Sequence, residues 1–590
     1  MIDKTKVNPG FHKQFRLDRF SETDQQILRK LSRYWYLTSS GEEIQVAQSK
    51  YNFFLMRAPI EFAEMFNIER EIVCILSNYD SFESRSLDIF EEVFKKLPRK
   101  RVETVCGVLI SKSDHVEQKV ESLLKSDPEY PVIIPFAYSE LQKETEGSLY
   151  QNRFRKHFYS RDLFSFLSPL KKDTYFFGRN NLINEISSRF QSGEHTSLFG
   201  LRKSGKTSII YALQRKLEVN KEISLSIDCE SPSIHMLRWN ELLEKLVTKY
   251  HETKQSKFKL VTENRYTEKL AAESFEQDML NIYSSKKAQR ILIVFDEIER
   301  LTPHTASSEH WRENYDFIYF WQTLRGFYQK HPEIYTYMLV GTNPSCVEAH
   351  TLCGHENPLF ASIPSQYIPN FSIEQVKEMV TKLGTYMGLV FDDYICNRLT
   401  DDFGGHPFLI RQMCSLLNSK SPKIRPFIID KSLYNSSLDD FTQVSREYLD
   451  MMIGVLKSWY PNEHQMLVML ANNDIELFEG LAKDNVSYTR HLRGYGLINK
   501  GVENHTFNLE IIAKYLKENH AHEKMNLSND EKISEISSRR NRIEKGLRTL
   551  IRNTLRMNIG LIKAKTAVLA SVPEGRREKL NALEFNQILE

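Results

Sequence analysis

The sequence predicts an α/β, multidomain protein, and three observations carry that prediction. Strand-like apolar runs alternate with amphipathic helical patterns twice along the chain, as an open sheet with helical crossovers requires. Gly200 to Thr207 reads GLRKSGKT and fits G-x-x-x-x-G-K-[ST], with an apolar run before it and the helical pattern Ile209, Ile210, Leu213, Leu217 after it. Arg290 to Arg300 reads RILIVFDEIER, an apolar run suited to a buried parallel strand that ends in two acids. At 590 residues several domains are expected. Charged residues are 27% and hydrophobic residues 41%, which suits a soluble globular chain. A net charge of +3 gives no global electrostatic argument for nucleic acid. The 7 cysteines are scattered, odd in number and without a CxxC pair, which favours a reducing, cytoplasmic setting. The N-terminus lacks an apolar signal core, and no apolar run is long enough to suggest a membrane span.

Taken in order, residues 1–60 are mixed and aromatic-rich, with no assignable pattern. From Arg70 the chain reads as strand (70–77), helix (87–97), strand (102–111), helix (115–124) and strand (131–138). Residues 1–150 are therefore expected to form a small open α/β domain, read as a sensor or protein-interaction module. The strands lack the acid and E-x-K pattern of a nuclease core. A TIR-like NAD-cleaving domain has a similar alternation, in which Glu83, Glu91 or Glu92 would supply the carboxylate; a helix face of solvated acids is the alternative. Residues 151–174 read as a polar linker.

The region 175–370 holds the chemistry. The glycines of the loop let backbone N–H groups turn inward, and the helix behind adds positive potential, so Gly200, Arg202, Lys203, Ser204, Gly205, Lys206, Thr207 and Ser208 are expected to cradle phosphates. Lys206 is expected to reach the β- and γ-phosphates. Thr207 and Asp296 are the candidate Mg²⁺ ligands, and Glu297 the residue that orients attacking water. The run YTYMLVGTNP ends in Thr342 and Asn343, which either report the γ-phosphate or make a turn before Pro344. Just ahead of the loop, Phe177 offers an apolar wall and Gly178 a close backbone approach to a ligand. Cys346, His350, Cys353 and His355 form a tight C-x3-H-x2-C-x-H, either a metal site or a loop with incidental Cys and His. Residues 371–454 become helical and form the expected lid, with Gly404-Gly405-His406-Pro407 at a helix start. Arg411, one turn on, is either a cation facing the nucleotide or a solvated helix residue.

The set FFGR, GLRKSGKT, ILIVFDE, GTNP and GGHPF, in this order, resembles STAND-type or archaeal-type P-loop ATPases of the wider AAA+ group over roughly Ser168 to His520. The resemblance implies an ASCE-type core (175–370), a helical lid, a winged helix and a switch between an ADP-bound closed state and an ATP-bound open or oligomeric state. It implies adenine contact near Gly178, catalysis by Glu297, Lys206 and Asn343, and ATP with Mg²⁺ as cofactors. Members act in phage defence, signalling or transcription. Arg300 and Arg325 are the candidates for an arginine finger.

Residues 455–520 fit the winged helix: helices over 463–470, 475–481 and 488–497, then a hairpin with its turn near Glu503. The third helix carries Arg490, His491 and Arg493: either they are DNA-recognition side chains or, as the resemblance implies, the module packs on the nucleotide domain as a lock. The last segment, 521–590, holds 14 Lys and Arg against 9 Asp and Glu. Its amphipathic run places Ile536, Ile543, Leu547, Leu550, Ile551 and Leu555 on one face, beside Arg548, Arg552 and Arg556. It is similar to HEPN-type helical domains but lacks their histidine, and it reads as a basic helical domain, truncated at its end. Two functions follow: an ATP-hydrolysing regulatory switch with a protein partner at the N-terminal domain and nucleotide-dependent self-association, or a DNA-binding ATPase using the winged helix or C-terminal helix. A third is a nucleotide-binding scaffold without turnover.

Overall fold

The computed structural model describes residues 8–583, apart from 47, 83–84, 99, 126, 144–146, 257, 286, 314, 502–503 and 527–528. The chain divides into two units, Met1–Tyr515 and Leu516–Glu590.

The first unit begins with a seven-stranded mixed sheet. Its strands are β1 (Gly10–Phe11), β2 (Tyr36–Ser39), β3 (Glu43–Val46), β4 (Ser49–Arg57), β5 (Glu71–Ser77), β6 (Val102–Ser111) and β7 (Val132–Ala137). The order is β1-β2-β4-β5-β6-β7, with β3 paired to β4. The three strands expected from the sequence form the parallel half. The antiparallel half, built from residues 36–57, makes the sheet larger than the small one expected. It went unread because β2 and β3 are only four residues each, and the longer β4 runs apolar from Phe53 to Met56 without period-2 alternation. Helix Arg85–Lys96 carries Glu91 and Glu92, which pair with Lys172 and Lys95 at 2.9 and 2.8 Å. They are tied to lysines rather than aimed at a cleft; Glu83 lies outside the described residues.

The second sheet is wholly parallel. It comprises β8 (Thr196–Phe199), β9 (Ile223–Asp228), β10 (Ile291–Asp296) and β11 (Tyr335–Gly341), in the order β8-β11-β10-β9. The strand leading to the Gly-rich loop and the strand ending in Asp296 thus flank β11. Along β10, Leu292 and Val294 enter one apolar cluster with Leu198, Ile209 and Val340. Ile291, Ile293 and Phe295 enter another with Trp311, Trp321 and Leu339. Burial on both faces explains why this strand is an unbroken apolar run. Register sets Phe295 beside Leu339 and Asp296 beside Asp228, so the strand ends open on one edge. Ligands sit at that edge in parallel α/β sheets.

Helices Ile373–Tyr386, Asp393–Phe403, Pro407–Lys420, Lys431–Val444 and Arg446–Trp459 follow. Ser372 and Gln375 cap the first reciprocally, and Gly404 ends the second at φ +56°. Next come helices Pro461–Ala471 and Ile475–Asp484, the short helix Arg490–Gly494 and the antiparallel pair Ile498–Lys500 and His505–Phe507. The expected third helix over 488–497 is cut short: a 3-10 turn covers Val486–Thr489, and the chain leaves the helix through Gly496 at φ +68°. The turn expected at Glu503 lies outside the described residues.

The second unit holds helices Asn529–Ile559, Leu561–Ala570 and Glu574–Asn581. The first two are separated by Gly560 at φ +76°. Within this unit Ile536, Ile543, Leu547, Leu550 and Ile551 are exposed, and Arg548 pairs with Glu544 at 2.6 Å. Residues 584–590, where truncation was read, lie outside the described residues. Among the described residues no helix is long and apolar enough to cross a membrane.

Candidate nucleotide site

A cavity of about 430 Å³ opens at the C-terminal edge of the parallel sheet. Phe166, Phe177, Lys206, Thr207, Glu297 and Phe408 are among its lining residues. The Gly-rich loop makes the floor. Lys203 and Gly205 take φ of +64° and +97°, the left-handed values that turn the loop into the helix Lys206–Val219. Lys206 is buried, and its Nζ donates to the Gly200 carbonyl and to Thr342 Oγ1, both at 3.0 Å. The Glu297 carboxylate stands 3.9 Å away. Thr207 Oγ1 donates to Asp296 Oδ2 at 3.3 Å. The loop lysine, the helix-start threonine and the strand-end acids, distant in sequence, therefore meet at one place.

Three carboxylates at this centre have different characters. Burial, followed by the neighbouring Glu297, pushes Asp296 up to about 6. Burial acts the same way on Glu297, but Lys206, a hydrogen bond with Glu299, Arg202 and Arg300 outweigh it and hold Glu297 below its ordinary value. Glu297 also sits at φ +53°, a backbone strain typical of functional positions. Glu299 is buried, and burial with the Glu297 charge pushes it up to about 8. Both its oxygens accept from the Thr342 N–H, at 3.0 and 3.1 Å. Glu299 was not singled out from the sequence. It is the last acid of DEIE, and a residue just past a strand end reads as surface.

Several expected ligand residues turn out to serve the walls. The expected linker 151–174 is partly helical, since helix Gly147–Tyr159 runs through its boundary, and residues 163–172 form a strap of which 166–170 line the cavity. Lys203 Nζ donates to the Leu167 carbonyl at 2.9 Å and stands over the Phe408 ring. Ser208 Oγ accepts from the Leu170 N–H at 2.8 Å. Arg411 is buried, which overturns the solvated-helix alternative. Its guanidinium donates to the Leu163 and Tyr175 carbonyls and lies over Phe166, and burial pushes it down to about 10. Gly178 at φ +70° is tight against Phe371, where an added Cβ would come within 2.9 Å; it is Phe177 and Arg179 that line the cavity. Arg179 donates to the Pro369 carbonyl and stacks on Phe371. Gly200 packs against Ser204, and Arg202 is exposed at the cavity mouth.

At the tip of β11, Thr342 faces Lys206. Asn343 Oδ1 instead accepts from the Ser345 N–H at 2.9 Å and from Tyr460 Oη at 2.8 Å. Asn343 therefore makes the turn and also ties the tip of β11 to Tyr460, at the start of helix Pro461–Ala471. Tyr495 Oη donates to the Thr342 carbonyl at 2.7 Å. His491 lies between Glu348, at 2.9 Å, and Glu463, and stacks on Tyr460. Arg490 pairs with Glu348 at 2.9 Å. Of the three candidate DNA-contacting side chains, His491 is thus spent inside the fold, whereas Arg490, though paired, and Arg493 are exposed. Of the candidate fingers, Arg300 pairs with Glu230 at 2.8 Å, and Arg325 lines a separate cavity with Arg189 and His195. Cys346, His350, Cys353 and His355 do not converge. Cys346 is buried, His350 packs on Phe360 and His355 on Tyr315. Among the described residues the one cluster with ligand-like spacing is Glu117, Glu121 and His157, where Lys156 and Arg153 already neutralise Glu117.

No family model matches the chain, and no curated protein matches it. Solved structures do. A Walker-type ATPase of Pyrococcus abyssi aligns at 14% identity over 60% of this chain and 99% of that one, with a TM-score of 0.42. The Thermotoga maritima RuvB Holliday junction branch migration motor aligns at 14% identity over 59% and 97%, with a TM-score of 0.31. The Aeropyrum pernix Orc1 protein, solved in complex with DNA, aligns at 11% identity over 60% and 96%, with a TM-score of 0.29.

Proposed function

We propose that the chain binds ATP and hydrolyses it slowly, as a STAND-like regulatory switch in defence or signalling. One observation carries the reading: Lys206, Thr207, Asp296 and Thr342 converge at the strand-end edge, with Glu297 beside them. The loop amides and Lys206 would take the phosphates, and Phe166, Phe177 and Phe408 would enclose the apolar end of the nucleotide. The donor set fits Mg²⁺: the Thr207 hydroxyl and Asp296 carboxylate are hard oxygens already facing each other. When bound there, the ion would neutralise phosphate charge. Glu297, held ionised, is the residue placed to orient water.

A switch needs a link from phosphate to a second domain, and Thr342 with Asn343 supports one. Thr342 faces Lys206 on one side, while Tyr460 and Tyr495 grip the pair from the other. The enclosure of His491 between Glu348 and Glu463 counts against a DNA-reading role for that side chain, while Arg490 and Arg493 stay exposed. The test is nucleotide binding by a fluorescent ATP analogue together with phosphate release. Lys206→Ala should lose binding, and Glu297→Gln should keep it within about threefold while turnover falls by at least 10²-fold, the usual scale for such groups. Wild-type turnover in Glu297→Gln would sink the assignment.

A further inference from the structure

We infer that helix Asn529–Ile559 is a self-association element: its exposed apolar seam pairs, antiparallel, with the same helix of a second copy of this chain. The inference concerns the second unit alone and does not depend on the nucleotide reading.

The seam has coiled-coil spacing. Ile533, Arg540, Leu547 and Thr554 recur every seven residues, and Ile536, Ile543, Leu550 and Met557 recur three places after them. These are the a and d positions of a heptad, and the row they make runs long enough to specify a coiled coil. Six of the eight are apolar, and each of the six is more than half exposed, from 53% at Leu547 to 86% at Met557. A contiguous exposed apolar row of this kind marks an interaction site. Beyond Gly546 the half-buried residues of the helix are Arg548, Arg552 and Leu555, at b, f and b on the opposite side. Packing within the unit therefore spares the seam.

The residues in the seam select the partner and its direction. In a parallel pair Arg540 would face its own counterpart, charge against charge. Reversing one helix about Lys545 sets Arg540 against Leu550, Ile543 against Leu547, Ile533 against Met557 and Ile536 against Thr554. No two charges then share a layer, and the Arg540 stem can cover Leu550 while its head reaches water. Charge along the helix agrees. Residues 529–538 hold three acids and one base, and residues 539–559 hold seven bases and one acid. Antiparallel order brings the acidic start of each helix alongside the basic end of the other and opposes the two helix dipoles. Near the midpoint an added Cβ at Gly546 would meet nothing within 4 Å, which leaves room for the second backbone to approach.

The experiment measures the mass of the full chain by analytical ultracentrifugation over a dilution series, without nucleotide. Wild type should sediment at twice the 69.3 kDa chain mass. Ile543→Lys puts a charge into both central layers and should weaken pairing at least tenfold, whereas Thr549→Lys, at c and off the seam, should leave it unchanged. Direction is read by mild oxidation and peptide mapping. The double variant Ile533→Cys/Met557→Cys should link position 533 of one chain to position 557 of the other, and neither single variant should link to its own counterpart. Should Ile543→Lys aggregate, the cysteine linkage decides. A wild-type chain of single mass at every dilution, an Ile543→Lys chain that pairs as wild type does, or linkage of either single variant to its counterpart overturns the inference. None of these readouts involves ATP, so failure here leaves the nucleotide reading standing, and failure of that reading leaves the pairing untouched.

Discussion

The contact of His491 with two carboxylates makes a quantitative prediction. Burial pulls this imidazole toward neutrality, but hydrogen bonds and charge from Glu348 and Glu463 outweigh it and push the group up from 6.5 to about 9. A folded-state value above the unfolded one means that folding takes up a proton. The contribution is complete below pH 6.5 and is lost as pH rises through about 9. At about 1.4 kcal/mol per pH unit the ceiling is ~3 kcal/mol, and ~1–3 kcal/mol is expected once the shared bonds are considered. The assay is hydrogen exchange in the strands Ile498–Lys500 and His505–Phe507, corrected for intrinsic rates, between pH 6.5 and 9.5. Wild type should lose roughly 5- to 150-fold protection across that window. The change His491→Gln removes the titrating group and should flatten the dependence. If the glutamine variant follows the wild-type curve, His491 is not the origin and the reasoning fails.

Other changes probe different parts of the site. Arg411→Met should lower stability by about 2–4 kcal/mol, because the Leu163 and Tyr175 carbonyls lose a buried donor. A melting temperature equal to wild type would contradict this. Tyr460→Phe removes one neutral hydrogen bond to Asn343 and should cost about 1 kcal/mol. Its hairpin amides should exchange several-fold faster with analogue affinity unchanged, and a change in affinity alone would show that Asn343 acts on the nucleotide directly.

Much of the architecture was legible because its signals are local. The β10 run and the GLRKSGKT loop each declare their own conformation, and the meeting of Thr207 with Asp296 follows from parallel register. What was illegible depends on contacts between distant segments. Arg411 looked like a surface cation because its partners, Leu163 and Tyr175, lie far away in sequence. Lys203 and Ser208 matched a phosphate-loop pattern, but their side chains bind the strap, a use no motif encodes. His491 read as a groove-reading side chain since its charge was visible and its two carboxylate partners were not. Glu299 was missed for the converse reason: it sits in a turn after β10, and its carboxyl is accommodated by Gly341 in a strand distant in sequence.

The strap is held from both sides. Its amides at Lys171 and Lys172 are gripped by Glu129 of the N-terminal domain, and Arg161 is bonded to the Tyr130 carbonyl. Further along, Lys203, Ser208 and Arg411 fasten the same peptide to the loop and to helix Pro407–Lys420. One short stretch is therefore both tether and wall. Strain in the N-terminal sheet is thus borne by the same hydrogen bonds that hold the cavity wall in place.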